Sequence, residues 1–121
     1  CLRHEDIDRL IDQLADDRVG GLLAVPLHDT IKSAGADLRV RDTPERERLW
    51  RAFTPQMFRL AALTSALQDA LAAGTPVTDE ASAMEHAGQA PKLVEGHSDN
   101  IKITRPEDLE LAAFYLRQQA S

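Results

Sequence analysis

The sequence is poor in sulfur and in aromatic rings. Its one cysteine among 121 residues, Cys1, has no internal partner, which excludes a disulfide-stapled scaffold and points to a reducing compartment. Aromatic residues make up 4%, so a core has to be assembled from Leu, Ile, Val and Ala. No apolar run approaches the roughly 20 residues that cross a bilayer, and no secretory pattern opens the chain. The six glycines, at 20, 21, 35, 74, 88 and 96, form no G-x-G-x-x-G and no G-x-x-x-x-G-K-[ST] motif, so no phosphate-cradling glycine loop is present. His4, His28, His86 and His97 show no metal-ligand spacing, and Ser65, Ser82 and Ser98 lack a nucleophile elbow. Zinc chemistry and serine-hydrolase chemistry therefore have no support.

What is present is a globular composition, 43% hydrophobic and 28% charged, of a length that suits one domain or part of one. The net charge is -6, which argues against a nucleic-acid partner. The charge is unevenly placed. Seven of the 14 basic residues fall between Lys32 and Arg59, among only four acids. A local basic zone in an acidic chain suits a small anionic ligand better than a polyanion.

Hydrophobic spacing predicts an α/β chain. Ile7, Leu10, Ile11 and Leu14 mark a helix with Glu5 and Asp6 in its first turn, where the dipole favours anions. Leu22 to Leu27 reads as a buried strand halted by Pro26. His28 to Ala34 and Leu38 to Thr43, joined by Gly35-Ala36-Asp37, read as a polar projecting hairpin that needs a partner to cover it. After a strand at Leu49 to Phe53, Thr54-Pro55 reads as an N-cap and first residue of a helix through Leu60, Leu63, Leu67 and Leu71. Its free N–H groups would complete an anion pocket. Thr78-Asp79-Glu80 starts a short helix, and Leu93-Val94 and Ile101 to Ile103 read as short strands. Thr104-Arg105-Pro106-Glu107 is a capping-box pattern for a last helix to about Gln118. About four core strands plus an arm make up half of a doubly wound sheet, and the architecture reads as incomplete.

Three segments, His28 to Lys32, Arg46 to Gln56 and Glu95 to Lys102, are polar where loops should meet strand ends, and four motifs in order are specific. V-P-L-H-D-T-I-K, L-W-R-A-F-T-P-Q-M-F, V-T-D-E-A-S-A-M-E and L-V-E-G-H-S-D-N-I-K-I-T-R-P-E-D-L resemble the C-terminal half of the 2-C-methyl-D-erythritol 4-phosphate cytidylyltransferases. The resemblance runs from Cys1 to about Leu116. It implies part of a Rossmann-like nucleotidyltransferase sheet with a β-hairpin dimerisation arm at about 28–43. The implied reaction joins methylerythritol phosphate to CTP with release of pyrophosphate, in the non-mevalonate route to isoprenoids. Magnesium, a homodimer with interlocking arms and a bacterial cytoplasmic setting are implied with it.

Position by position, the resemblance implies substrate contacts for Thr30, Arg46, Thr54 and Lys102, Thr30 being lent across the dimer. Arg46 and Lys102 would be the catalytic pair that positions and orients the substrate phosphate. Two anions must meet, so fixed cations suit the chemistry and no side-chain nucleophile is needed. The family's glycine-rich CTP loop and its D-A-A-R-P stretch belong to an N-terminal half not found here, so residues 1–121 read as the C-terminal portion of a single domain and Cys1 as an internal residue exposed by a cut. Glu47-Arg48 after Arg46 departs from the family pattern. Asp79, Glu80 and Asp99 are assigned no metal: the first two favour a helix start, and Asp99 has no visible partner. Three other readings stay open: a ribitol-phosphate cytidylyltransferase, a catalytically silent dimerisation and substrate-binding half, and a generic acidic α/β binding module.

Overall fold

A computed structural model describes residues 1–120. Helix α1 (His4–Leu14) turns Asp6, Leu10 and Leu14 inward and leads to the central strand β1 (Gly20–Pro26), whose first six residues are all buried. Asp17 makes the turn between them. Its Oδ1 accepts from the N–H groups of Val19 and Gly20, both at 2.9 Å, and these bonds hold the carboxyl below its ordinary value.

Strands β2 (Ser33–Ala34) and β3 (Val40–Asp42) form their own two-stranded antiparallel sheet with every residue exposed. The segment expected as a projecting hairpin thus holds only a short ladder, with an irregular register. A 3-10 turn at Arg46–Arg48 leads into β4 (Trp50–Phe58). Helices α2 (Leu60–Ala72) and α3 (Glu80–His86), strand β5 (Lys92–Glu95) and helix α4 (Pro106–Ala120) follow.

The main sheet has the order β4-β1-β5. β1 runs antiparallel to β4 and parallel to β5, so the sheet is mixed. Leu23 and Val94 meet Leu10 and Leu14 of α1 on one side, with Phe53 and Met57 at the margin. A second cluster joins Ala66 of α2 to Ala83 and Met84 of α3, with Phe58, Leu63 and Leu67 around it. The core is aliphatic, as the scarcity of aromatics requires. Strand approach at the start of β1 is close. A Cβ on Gly20, which has φ +105°, would meet the Met57 carbonyl oxygen, and one on Gly21 would meet that of Lys92.

Three expectations are corrected. Thr54 does not cap a helix: β4 continues through it to Phe58, and α2 begins at Leu60 after Arg59. Pairing with β1 outweighs the local capping signal. The pairing steps from Leu22–Gln56 to Ala24–Ala52, which sets Phe53, Thr54 and Pro55 in a bulge opposite a single residue. A proline has no N–H to give a ladder, so a bulge accommodates it. Ile101 to Ile103 forms no strand: it follows a turn in which Asn100 N–H donates to the His97 carbonyl and Ile101 N–H to that of Asp99. The core sheet therefore has three strands among the described residues. At α4 the cap is reversed. Asp108, not Glu107, accepts from the backbone N–H of Thr104 and Arg105 at 3.1 and 3.0 Å and from the Thr104 hydroxyl at 3.1 Å.

Candidate functional site

The β4 bulge forms one wall of a cleft of about 450 Å³, with Thr54, Gln56, Asp79, Glu80, Asn100 and Lys102 among its lining residues. Its second wall is the start of α3. Asp79 caps that helix by accepting from Ser82 N–H at 2.8 Å, and Ser82 Oγ accepts from Asp79 N–H at 3.3 Å. Gln56 ties the two walls together. Its Nε2 donates to Asp79 Oδ2 at 3.0 Å, while its Oε1 accepts from Ala81 N–H at 2.9 Å.

The third wall is the loop after β5, and three of its side chains anchor it to different elements. His97 Nδ1 contacts Asp6 of α1 at 2.9 and 3.0 Å. Asp99 Oδ2 accepts from Arg3 at 2.6 Å and from Gln119 of α4 at 3.1 Å. Asn100 Nδ2 donates to the Thr54 carbonyl at 2.6 Å. Burial opposes ionisation of Asp99, but the hydrogen bonds from Arg3 and Gln119 and the charges of Arg3 and His97 outweigh it and hold the carboxyl below its ordinary value. The Asp99 bond correspondingly pushes the Arg3 guanidinium upward.

Lys102 lies at the end of this loop, exposed, and its ammonium has no hydrogen-bond or ion-pair partner among the described residues. A cation without an internal counter-ion, in an open cleft that a threonine also lines, is suited to an incoming anion. Thr54 and Lys102 are thus brought to one cleft. Thr54 contributes from a strand bulge, so the expected helix N-terminus is not part of the anion site.

Thr30 and Arg46 are not in that cleft. Both are exposed near the base of the hairpin, where Arg46 Nη1 donates to the His28 carbonyl at 2.9 Å. A second cleft of about 450 Å³ opens at the ends of β1 and β5, lined by Pro26, His28, Arg51, Glu95, His97 and Ser98 among others. The basic zone is spread along the hairpin and β4, and only its Arg51 reaches this second cleft.

Magnesium favours a near-octahedral set of oxygens, and the carboxylates here do not fit one. Both oxygens of Asp79 are engaged, by Ser82 and Gln56. Asp99 Oδ1 is without a hydrogen-bond partner, yet it is buried against Arg3, whose Nε is equally unpaired. Glu5, Asp6 and His97 bring possible ligand atoms within 4.8 Å of one another. Their charge is already answered by Arg3 at 3.5 Å from Glu5 and Arg9 at 3.6 Å from Asp6. The group is an ion-pair cluster, not a cation site.

The buried Asp6 and the loop anchors His97, Asp99 and Asn100 escaped the sequence reading. Asp6 read as a favourable first-turn acid, and Asp99 as unpartnered. The signal was weak but present: Asp6 shares the inward face of Leu10 and Leu14, an odd place for an acid unless it is paired.

Comparison with known proteins adds an independent line. The family profile described as 2-C-methyl-D-erythritol 4-phosphate cytidylyltransferase matches residues 1–118. A curated protein of that name from Ectopseudomonas mendocina is 64% identical over 108 residues, covering 89% of this chain and 46% of the relative. One from Pseudomonas syringae pv. tomato is 59% identical over 120 residues, covering 99% and 49%. The crystal structure of the Francisella tularensis protein of that name superposes with a TM-score of 0.81 at 38% identity, over 94% of this chain and 54% of that one. The chain spans about half the length of the curated relatives it matches. Among the described residues no helix is long and apolar enough to cross a membrane.

Proposed function

The chain belongs to the 2-C-methyl-D-erythritol 4-phosphate cytidylyltransferase family, and on that premise we propose that it is the C-terminal, substrate-binding portion of such an enzyme. A phosphate oxygen of methylerythritol phosphate attacks the α-phosphorus of CTP. A new P–O bond forms, the bond to the β-phosphate oxygen breaks, and pyrophosphate leaves with that bond's electrons. The observation that carries the reading is the meeting of Thr54 and Lys102 in one cleft. There the Lys102 ammonium offsets the negative charge of the attacking phosphate, and the Thr54 hydroxyl donates a hydrogen bond that limits its rotation.

Thr30 completes the site from a second copy of the chain, and Arg46 positions the substrate phosphate. The support is their exposure at the base of a hairpin that stands apart from the main sheet and carries much of the basic zone. A bacterial cytoplasmic setting suits a CTP-using enzyme with bacterial relatives. Family membership also implies magnesium, but the carboxylates here do not fit it, and none of these roles is routed through the metal. No glycine loop in this sequence cradles a triphosphate, so the isolated chain is a silent half. It is expected to make no CDP product.

The test uses the complete enzyme that contains this chain. Lys102→Ala should lower kcat/KM for methylerythritol phosphate by about 100-fold, with the KM for CTP little changed. A normal rate in that variant, or a preference for ribitol 5-phosphate when the two polyols compete, would overturn the assignment.

A further inference from the structure

Lys102 and Thr54 come from segments 48 residues apart in sequence, and neither side chain is held by the other. One side chain joins their backbones. In the β4 bulge Phe53, Thr54 and Pro55 have no register partner on β1, so the Thr54 carbonyl lies outside the ladder and needs a donor. Asn100 Nδ2 supplies it at 2.6 Å. The same residue closes the turn that precedes Lys102, its backbone N–H donating to the His97 carbonyl at 3.1 Å. His97 and Asp99 are anchored on the opposite side of the loop, to Asp6, Arg3 and Gln119. Asn100 is the member of this set that faces the cleft.

We propose that Asn100 is a positioning residue that holds Lys102 at a fixed reach from Thr54. Thr54 and Lys102 then bind one phosphate as a unit. Without the amide, the bulge carbonyl turns to water and the stretch from Asn100 to Lys102 loses the one hydrogen bond that joins it to β4 among the described residues. The ammonium, exposed and otherwise unanchored, then samples many positions and offsets the phosphate charge less well. This rests on the proposed function, because it takes Lys102 as the phosphate ligand.

The complete enzyme is assayed as wild type, Asn100→Ala, Lys102→Ala and the double variant. Asn100→Ala should lower kcat/KM for methylerythritol phosphate about tenfold, leaving the KM for CTP within about twofold. In the Lys102→Ala background the same change should cost less than about twofold, since a tether has no effect once its load is gone. An equal loss in both backgrounds, or no loss in either, overturns the proposal. Hydrogen exchange of residues 99–103 separates the two ideas. Faster exchange there in Asn100→Ala, with β1 unaltered, is expected even if the wild-type enzyme proves inactive on methylerythritol phosphate. That pairing of results would reject the proposed function and leave the tether standing. Unchanged exchange would reject the tether.

Discussion

His97 Nδ1 lies 2.9 and 3.0 Å from the two oxygens of Asp6, a side chain with no solvent exposure at all. The contact joins residues 91 positions apart and docks the loop after β5 onto α1. A carboxylate so deeply placed is tolerable only with strong partners, and Arg9 at 3.6 Å is more distant.

His97→Ala should therefore destabilise the fold by about 2 kcal/mol, the loss of a charge-assisted bond from a buried acceptor. Asp6→Asn should cost less, because an amide still offers an oxygen to the ring. Urea unfolding of both variants measures the difference, and the order of the two decides the account.

Acid should weaken the protein through Asp99 and Asp17. Both have folded-state values below their ordinary value of 3.8. Their stabilisation is present in full above that value and is lost as pH falls through the lower, folded value. Asp99→Asn and Asp17→Asn should each flatten the fall of Tm below pH 4 while changing Tm little in its slope above pH 5.

The close approach of strands at Gly21 predicts a severe effect of the smallest side chain. Gly21→Ala forces a methyl group into the Lys92 carbonyl, so β1 and β5 must separate. A loss of about 4 kcal/mol or more is expected. Gly74→Ala, with open space around it and a φ of +68°, should cost only about 1 kcal/mol of backbone strain. Thermal unfolding followed by circular dichroism compares them.

Gln56→Ala removes two bonds that cross from the bulge to α3, leaving the Ala81 N–H to find another acceptor. A cost of about 2 kcal/mol is expected. Gln56→Glu should be worse at pH 7 than at pH 5, since it sets a carboxylate against Asp79 where an amide now donates at 3.0 Å. Paired denaturation curves at the two pH values test the sign.

The elements most readable in the sequence are those whose signals are local. The period of Leu10 and Leu14, the apolar run of β1 and the Asp79 cap each report on neighbours within a turn or a strand, and each lies where expected. The four ordered motifs likewise carry the family without any coordinates. Local reading failed where two signals competed. Thr54-Pro55 suits a helix start, yet β1 pairs on both sides of it and claims it as a bulge.

By itself, then, the sequence determined an aliphatic α/β chain of one family, and it placed Lys102 in a strand that does not form. Tertiary structure alone decided how the loop that leads to Lys102 is held. Asp6 with His97, Arg3 with Asp99, and Asn100 with Thr54 are pairs separated by 91, 96 and 46 positions. No periodicity encodes such partners. They exist because the mixed sheet folds β5 beside β1 and brings α1, α4 and the β4 bulge around one loop.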